Sequence, residues 1–255
     1  MLKAGAVLML ILLGLAGVGA GLIGSVAGLA SLVSYPALLA FGLSPVTANV
    51  TNTVALLGSA VGAAAGSRPE LSGQRRRIVW LCSIAAVGGA CGGALLLLTP
   101  SETFTFVVPW LIALGSLLLL ARSRLLPLVA RFGISGAGPG TAVAAFCVAV
   151  YGGYFGAAAG VLMLALLSSV WSQSLARSNA AKNLATGAAN LIAATVFAFT
   201  GKVDWPAALA LCVGSIVGSW VGPAIVRRVP ATPLRIGIGL AGLGLAIVLA
   251  WQAFR

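Results

Sequence analysis

Y-G-G-Y-F-G-A-A-A-G, Tyr151 to Gly160, lies within an apolar run of membrane-crossing length, and S-L-A-R-S-N-A-A-K-N, Ser174 to Asn183, follows it. Four glycines, Gly152, Gly153, Gly156 and Gly160, crowd flexible backbone into the first stretch. Lys182 then sits just inside the next apolar run, which continues to about Thr200. Non-helical backbone at membrane depth persists only when it is buried in protein or lines a cavity. A charge there is costly and marks a functional residue by default.

The surroundings set the class. The chain has 255 residues, 60% of them hydrophobic and 7% charged, with no histidine, whereas soluble domains carry about 25% charged residues. Ala4–Ser67, Ile78–Ser101, Thr103–Ala121 and Phe132–Leu175 are all free of charge, and about 20 helical residues span the hydrocarbon core. These runs do not alternate as barrel strands would. The expectation is an all-α, polytopic helical membrane protein in a lipid bilayer.

A net charge of +12 would suggest nucleic acid in a soluble protein. Here the cations cluster between spans, at Arg75–Arg77, at Arg122, Arg124 and Arg131, and at Arg227, Arg228 and Arg235. That is the pattern that orients helices, so no nucleic-acid partner is expected. Cys82, Cys91, Cys147 and Cys212 fall inside apolar runs without metal spacing, so neither a metal nor another cofactor is expected. Lys3 ahead of an apolar run gives the start the look of a signal peptide.

Two halves repeat. G-L-I-G-S-V-A-G, Gly21–Gly28, matches G-Y-F-G-A-A-A-G, Gly153–Gly160, and A-N-V-T-N-T, Ala48–Thr53, falls on S-N-A-A-K-N, Ser178–Asn183. The register then holds, with Cys82 on Cys212, Gly88 on Gly218, Gly92 on Gly222 and Pro100 on Pro230. The N-terminal run has a counterpart within the body of the chain, at about Thr141–Gly156, and is therefore expected to stay as a span. Each half contains a glycine-broken segment and three further spans: Ala48–Gly66, Ile78–Leu98 and Phe104–Ala121, then Asn179–Thr200, Trp205–Val226 and Leu234–Ala253. The organisation expected is a first repeat over 1–121, a basic cytoplasmic linker over 122–140 and a second repeat over 141–255. Each broken segment is either a re-entrant hairpin or two short spans, for about 8–10 membrane segments in all.

Charge orients the halves. The first half has its arginines at Arg68–Arg77 and only Glu102 at the next loop; in the second half Lys202 and Asp204 cancel while Arg227, Arg228 and Arg235 are basic. Positive loops face the cytoplasm, so corresponding loops lie on opposite sides and the repeats are inverted, with both termini outside. Inverted repeats with broken helices characterise many secondary transporters.

The candidate site combines the broken segments with the polar residues after them. Gly21, Gly24, Ser25 and Gly28, with Tyr151, Gly152, Gly153, Gly156 and Gly160, supply the breaks. Asn49, Thr51, Asn52 and Thr53, with Asn179, Lys182 and Asn183, open the following spans, and Asn190 lies two turns deeper. One cap residue per helix satisfies an N-terminus, so these groups exceed that need, and helix N-termini favour anions. Gly88 with Gly92 and Gly218 with Gly222 read as close helix packing. The three carboxylates, Glu70, Glu102 and Asp204, fall in loops, which leaves nothing in the spans for acid–base catalysis or a cationic substrate. Lys182 either meets an anion or snorkels to the interface beside Arg177.

On these glycine clusters, on S-N-A-A-K (Ser178–Lys182), G-K-V-D-W (Gly201–Trp205), the glycine helix Gly214–Gly222 and the R-R-V-P element Arg227–Pro230, the chain resembles the TauE/SafE sulfite exporter family, also called the toluene sulfonate uptake permease family. The resemblance covers nearly the whole chain. It departs where the family carries G-x-G-G-G and this chain has G-S-V-A-G and G-A-A-A-G. It implies transport of sulfur oxyanions or organosulfonates such as sulfite. The expected protein is thus a non-enzymatic permease for a small anion in a bacterial inner membrane. A passive anion channel and a non-transporting assembly protein are the alternatives, and a homo-oligomer is left open.

Reporter fusions after Arg77 and after Arg228 should both report the cytoplasm, and one after Lys202 the outside. If the Arg77 and Lys202 fusions report the same side, the repeats run parallel and this topology is wrong.

Overall fold

A computed structural model describes residues 2–121, 136–199, 202–226 and 232–253. Among sequence features, the basic residues Arg122, Arg124 and Arg131, the Thr200–Gly201 pair, and Arg227, Arg228 and Pro230 lie outside the described residues. The described chain is helical: α1 (Leu2–Ala27), α2 (Ser31–Ala40), α3 (Pro45–Ala55), α4 (Leu57–Gly66), α5 (Arg68–Leu71), α6 (Arg75–Leu98), α7 (Ser101–Leu120), α8 (Pro139–Tyr154), α9 (Ala159–Val170), α10 (Leu175–Ala198), α11 (Trp205–Val226) and α12 (Thr232–Ala253). Four of these are long and apolar enough to cross a membrane, over Val7–Ala27, Arg75–Leu98, Ser101–Leu118 and Trp205–Ala224. Their outward faces carry large apolar side chains such as Leu15, Val87, Trp110, Val213 and Trp220, as lipid contact requires.

Both glycine clusters break the chain into hairpins. Gly28, at φ +78°, ends α1, its N–H bonding the Gly24 carbonyl at 2.8 Å. In the second half Gly156 at φ +80° and Ala158 at +62° make the turn. Ala158 is the one non-glycine residue with positive φ among the described residues. The return arms fold back on the arms that lead to them. Gly24 abuts Ala30 and Gly19 faces Val33, while the carbonyl of Val170, at the end of α9, accepts from Gly136 N, ahead of α8, at 3.2 Å. At ~1.5 Å per residue, the 10 residues of α2 and 12 of α9 reach about halfway through a ~30 Å hydrocarbon core. Neither return arm is long enough to cross that core alone.

Helix starts and bends refine the sequence expectation. The span expected over Ala48–Gly66 begins at Pro45 and bends at Leu56. Thr53 Oγ1 donates to the Asn49 carbonyl at 2.9 Å, and Ser215 Oγ from α11 donates to the Ala55 carbonyl at 3.3 Å. Hydroxyls inserted into the carbonyl ladder bend a helix in this way. The true N-caps are Ser44 and Ser174, whose side chains accept from Thr47 N at 3.4 Å and Arg177 N at 3.3 Å. Asn49–Thr53 and Asn179–Asn183 consequently lie in helix interiors and do not open their spans.

Glycine sets the packing directions. Along α1 and α11, Gly14 meets Gly214, Val18 meets Gly218, and Leu22 with Ser25 meets Gly222, so these helices run parallel. Gly58, Gly62 and Gly66 of α4 meet Cys212, Ile216 and Trp220 in the same sense. The second set is its mirror in connectivity: Gly88 and Gly92 of α6 meet Phe146 and Val150 of α8, and Gly89 and Gly93 meet Ala189 and Ala193 of α10. The repeat counterparts α3–α4 and α10 run oppositely. Arg177, at the start of α10, donates to the Ser72 carbonyl beyond the end of α4 at 2.9 Å. At the other end, Asp204 N, past the end of α10, donates to Thr51 Oγ1 of α3, ahead of the bend at Leu56, at 3.0 Å. Counterparts α7 and α12 also cross antiparallel, Leu120 against Gly239 and Ser116 against Gly242.

With little hydrophobic drive between helices in lipid, such backbone-to-backbone contact carries the packing. Gly218→Val would push a side chain into the Val18 carbonyl and should cost at least about 1–3 kcal/mol. Gly244→Val, whose Cβ meets nothing within 4 Å, should leave the thermal midpoint in detergent unchanged. Equal midpoints for the two variants would remove the packing role assigned to Gly218.

Candidate functional site

Where the two hairpins touch, glycine meets glycine. A Cβ on Gly160 would stand 2.7 Å from Gly28 Cα, and one on Gly28 would stand 2.6 Å from Gly160 C. Beside this contact lies a cavity of about 70 Å³, several times the roughly 10–15 Å³ that one water requires. Both breaks, α3–α4 and α10 line it.

Nine of the sixteen residues singled out from sequence line the cavity: Gly24, Gly28, Asn52, Thr53, Gly152, Gly156, Gly160, Lys182 and Asn183. The other seven stand behind it. Gly21 packs on the backbone of Ser215, and Gly153 on that of Gly89. Thr51 holds Asp204 N. Tyr151 Oη donates to the Ala157 carbonyl at 2.5 Å, closing the second break on itself. The remaining three form cross-half ties. Asn179 Nδ2 donates to the Ser25 carbonyl at 2.7 Å, and Asn49 Nδ2 donates to the Tyr154 carbonyl at 2.9 Å. Each half thus supplies one buried asparagine that satisfies backbone at the other half's break.

Lys182 is 1% exposed and its Nζ donates to the Gly24 carbonyl at 3.1 Å. It sits eight residues into α10, ~10 Å from the helix start, and its side chain points inward, not toward the interface. Asn183 beside it is 6% exposed, and its Nδ2 is a buried donor with no acceptor. Asn52, across the cavity, donates to Ser31 Oγ at 3.1 Å and accepts from Ser34 Oγ. The helix N-termini that border the cavity are those of α2 and α9, through Ser31, Ala159 and Gly160. Those of α3 and α10, on which the sequence reading relied, are a turn or more away.

Ser31, Ser59 and Thr186 also line the cavity and were missed in the sequence. Helical spacing held the signal for two of them. Thr186 follows Lys182 by four residues and Ser59 follows Asn52 by seven, each on the same helix face. Asn190 continues that face of α10 and reaches the cavity. Ser31 has no such signal, because the hairpin turn alone brings it in.

The family model described as "Sulfite exporter TauE/SafE" matches residues 13–249. A "Probable membrane transporter protein YfcA" of Escherichia coli K12 is 28% identical over 213 residues, covering 81% of this chain and 77% of that protein. A "Probable membrane transporter protein" of Haemophilus influenzae is 26% identical over 216 residues, covering 85% and 84%. No solved structure matches.

Asn49→Leu and Asn179→Leu should each destabilise the protein by about 1–2 kcal/mol, because each leaves a buried carbonyl without its donor. Thermal midpoints in detergent measure this, and variants as stable as the parent would show that the breaks do not need these ties.

Proposed function

The chain belongs to the sulfite exporter TauE/SafE family, and from that premise we propose that it moves a small anion, a sulfur oxyanion or organosulfonate, through the cavity between its two hairpins. The protein is a multi-pass membrane transporter of the bacterial cell membrane. One observation carries the proposal that its substrate is such an anion. The Lys182 ammonium is held inside the cavity, beside an Asn183 amide donor that lacks an acceptor. A buried cation beside an idle donor suits a ligand that is negative and accepts hydrogen bonds.

The scaffold fits the task. Glycine at the breaks lets backbone approach a ligand closely, and the N-termini of α2 and α9 direct partial positive charge toward the same space. We read the counterpart helices, which run oppositely in the two halves, as inverted repeats with the Arg68–Arg77 loop cytoplasmic. Such repeats would let the hairpins rock about a fixed site. A lysine, with its compact charge on a flexible stem, can follow an anion through that motion. Contacts at both ends of the cavity are candidates for the parts that separate. On the arginine side Arg77 lies 5.7 Å from the Trp171 ring centroid and Arg177 holds Ser72. On the other side Tyr35, Phe104, Tyr154 and Phe155 pack edge to face.

Lys182→Gln is expected to abolish uptake of labelled sulfite or sulfonate into proteoliposomes and to remove stabilisation of the detergent-solubilised protein by substrate. Insertion should be retained. A Lys182→Gln protein that transports at the parental rate would refute the proposal.

A further inference from the structure

The two halves contribute unequally to the cavity, and we infer that the inequality at Asn52 and Lys182 sets the charge of the substrate: the site accepts a singly charged oxyanion and rejects a doubly charged one of the same shape. This rests on the anion-site reading above and adds the charge state to it.

Asn52 and Lys182 are counterparts in the repeat, and both line the cavity. A symmetric pair of lysines would present two full positive charges to one ligand. This chain presents one, opposite a neutral amide. That amide is held by α2, through Ser31 and Ser34, so its position is fixed by a partner of its own half. Among the described residues lining the cavity, Lys182 is the one with an ionisable side chain. The chain's carboxylates lie elsewhere, Glu70 in α5, Glu102 in the first turn of α7 and Asp204 ahead of α11.

The other donors in the cavity cannot replace a second cation. The Asn183 amide and the N-termini of α2 and α9 stabilise either form of the ligand, and a helix end contributes at most about 2 kcal/mol. Taking an ion out of water costs several kcal/mol per charge unless an opposite charge offsets it. A monoanion on Lys182 makes a neutral pair. A dianion leaves one full negative charge to be held by dipoles alone.

Methanesulfonate and sulfate separate these cases. Both place four groups around sulfur, but the first is a monoanion throughout the working pH range and the second a dianion near neutrality. With the full-length protein in proteoliposomes, methanesulfonate should be taken up and should compete with sulfite. Sulfate should be weaker by roughly 100-fold or more, the scale of one unpaired buried charge. Asn52→Lys should narrow that ratio by about tenfold or more.

The inference is overturned if the parent protein handles the two anions within about threefold of each other, or fails to take methanesulfonate. It is also overturned if a folded, inserted Asn52→Lys protein keeps the parental ratio. Should Asn52→Lys not fold, the parental ratio alone decides. Lys182→Gln tells the two levels of failure apart. If it takes methanesulfonate as the parent does, the anion site itself is misassigned. If it loses methanesulfonate while the parent does not discriminate against sulfate, only the charge rule fails.

Discussion

Backbone freed from a helix inside a bilayer has no water to bond, and the rest of this structure depends on how that need is met. Two hairpin turns interrupt the helices, between α1 and α2 and between α8 and α9. Their carbonyls are taken up by Lys182 on Gly24, Asn179 on Ser25, Asn49 on Tyr154 and Tyr151 on Ala157. Three of these four bonds come from outside the broken segment they satisfy, and all three cross between the halves. Each break thus takes at least one of its donors from the other half. The interaction that makes the broken backbone tolerable is also the one that joins the repeats.

The same constraint explains why the polar groups sit in helix interiors. A side chain at a helix start faces the interface, where water can serve it. One to two turns further in, on α3 and α10, Asn49, Asn52, Asn179 and Lys182 lie within reach of the breaks and away from lipid. Close helix approach makes that reach possible. Gly17, Gly21, Gly214 and Gly218 bring α1 against α11, while Gly88, Gly89, Gly92 and Gly153 bring α8 and α10 against α6. Side chains of ordinary size at these positions would separate the helices and carry the donors away from their carbonyls. Packing and chemistry are consequently one design, and a glycine distant from the cavity can matter to it as much as one in its wall.

A cavity built this way is asymmetric at its centre. Gly28 and Gly160 meet as near equivalents, and the return helices α2 and α9 approach from opposite halves. Across that pseudo-symmetric frame the side chains differ. Asn52 is engaged by serines of α2, whereas Lys182 reaches across to the other half's carbonyl. Asn183 keeps an amide donor without an acceptor where its counterpart Thr53 bonds back to Asn49. The second repeat therefore supplies the charge and the idle donor, and the first supplies the neutral wall.

Sequence alone determined the class of this protein, because unbroken apolar length and scarce charge leave a helical membrane protein as the physical solution. Periodic glycines and a constant register between halves marked the repeat, and the coincidence of glycine breaks with polar residues marked the region of the cavity. Tertiary structure decided what those residues do. Gly21 and Gly153 look like Gly28 and Gly160 in sequence, but two face a neighbouring helix and two face each other, and composition carries no record of that direction. Ser44 and Ser174 took the capping role because the helices begin a turn earlier than the first conspicuous asparagine, which moved Lys182 from near the interface to the interior. Ser31 entered the cavity only because a hairpin turn folded α2 back along α1. Local patterns report what a segment can bury or satisfy; which partner satisfies it depends on contacts more than a hundred residues apart, and only the folded chain brings those together.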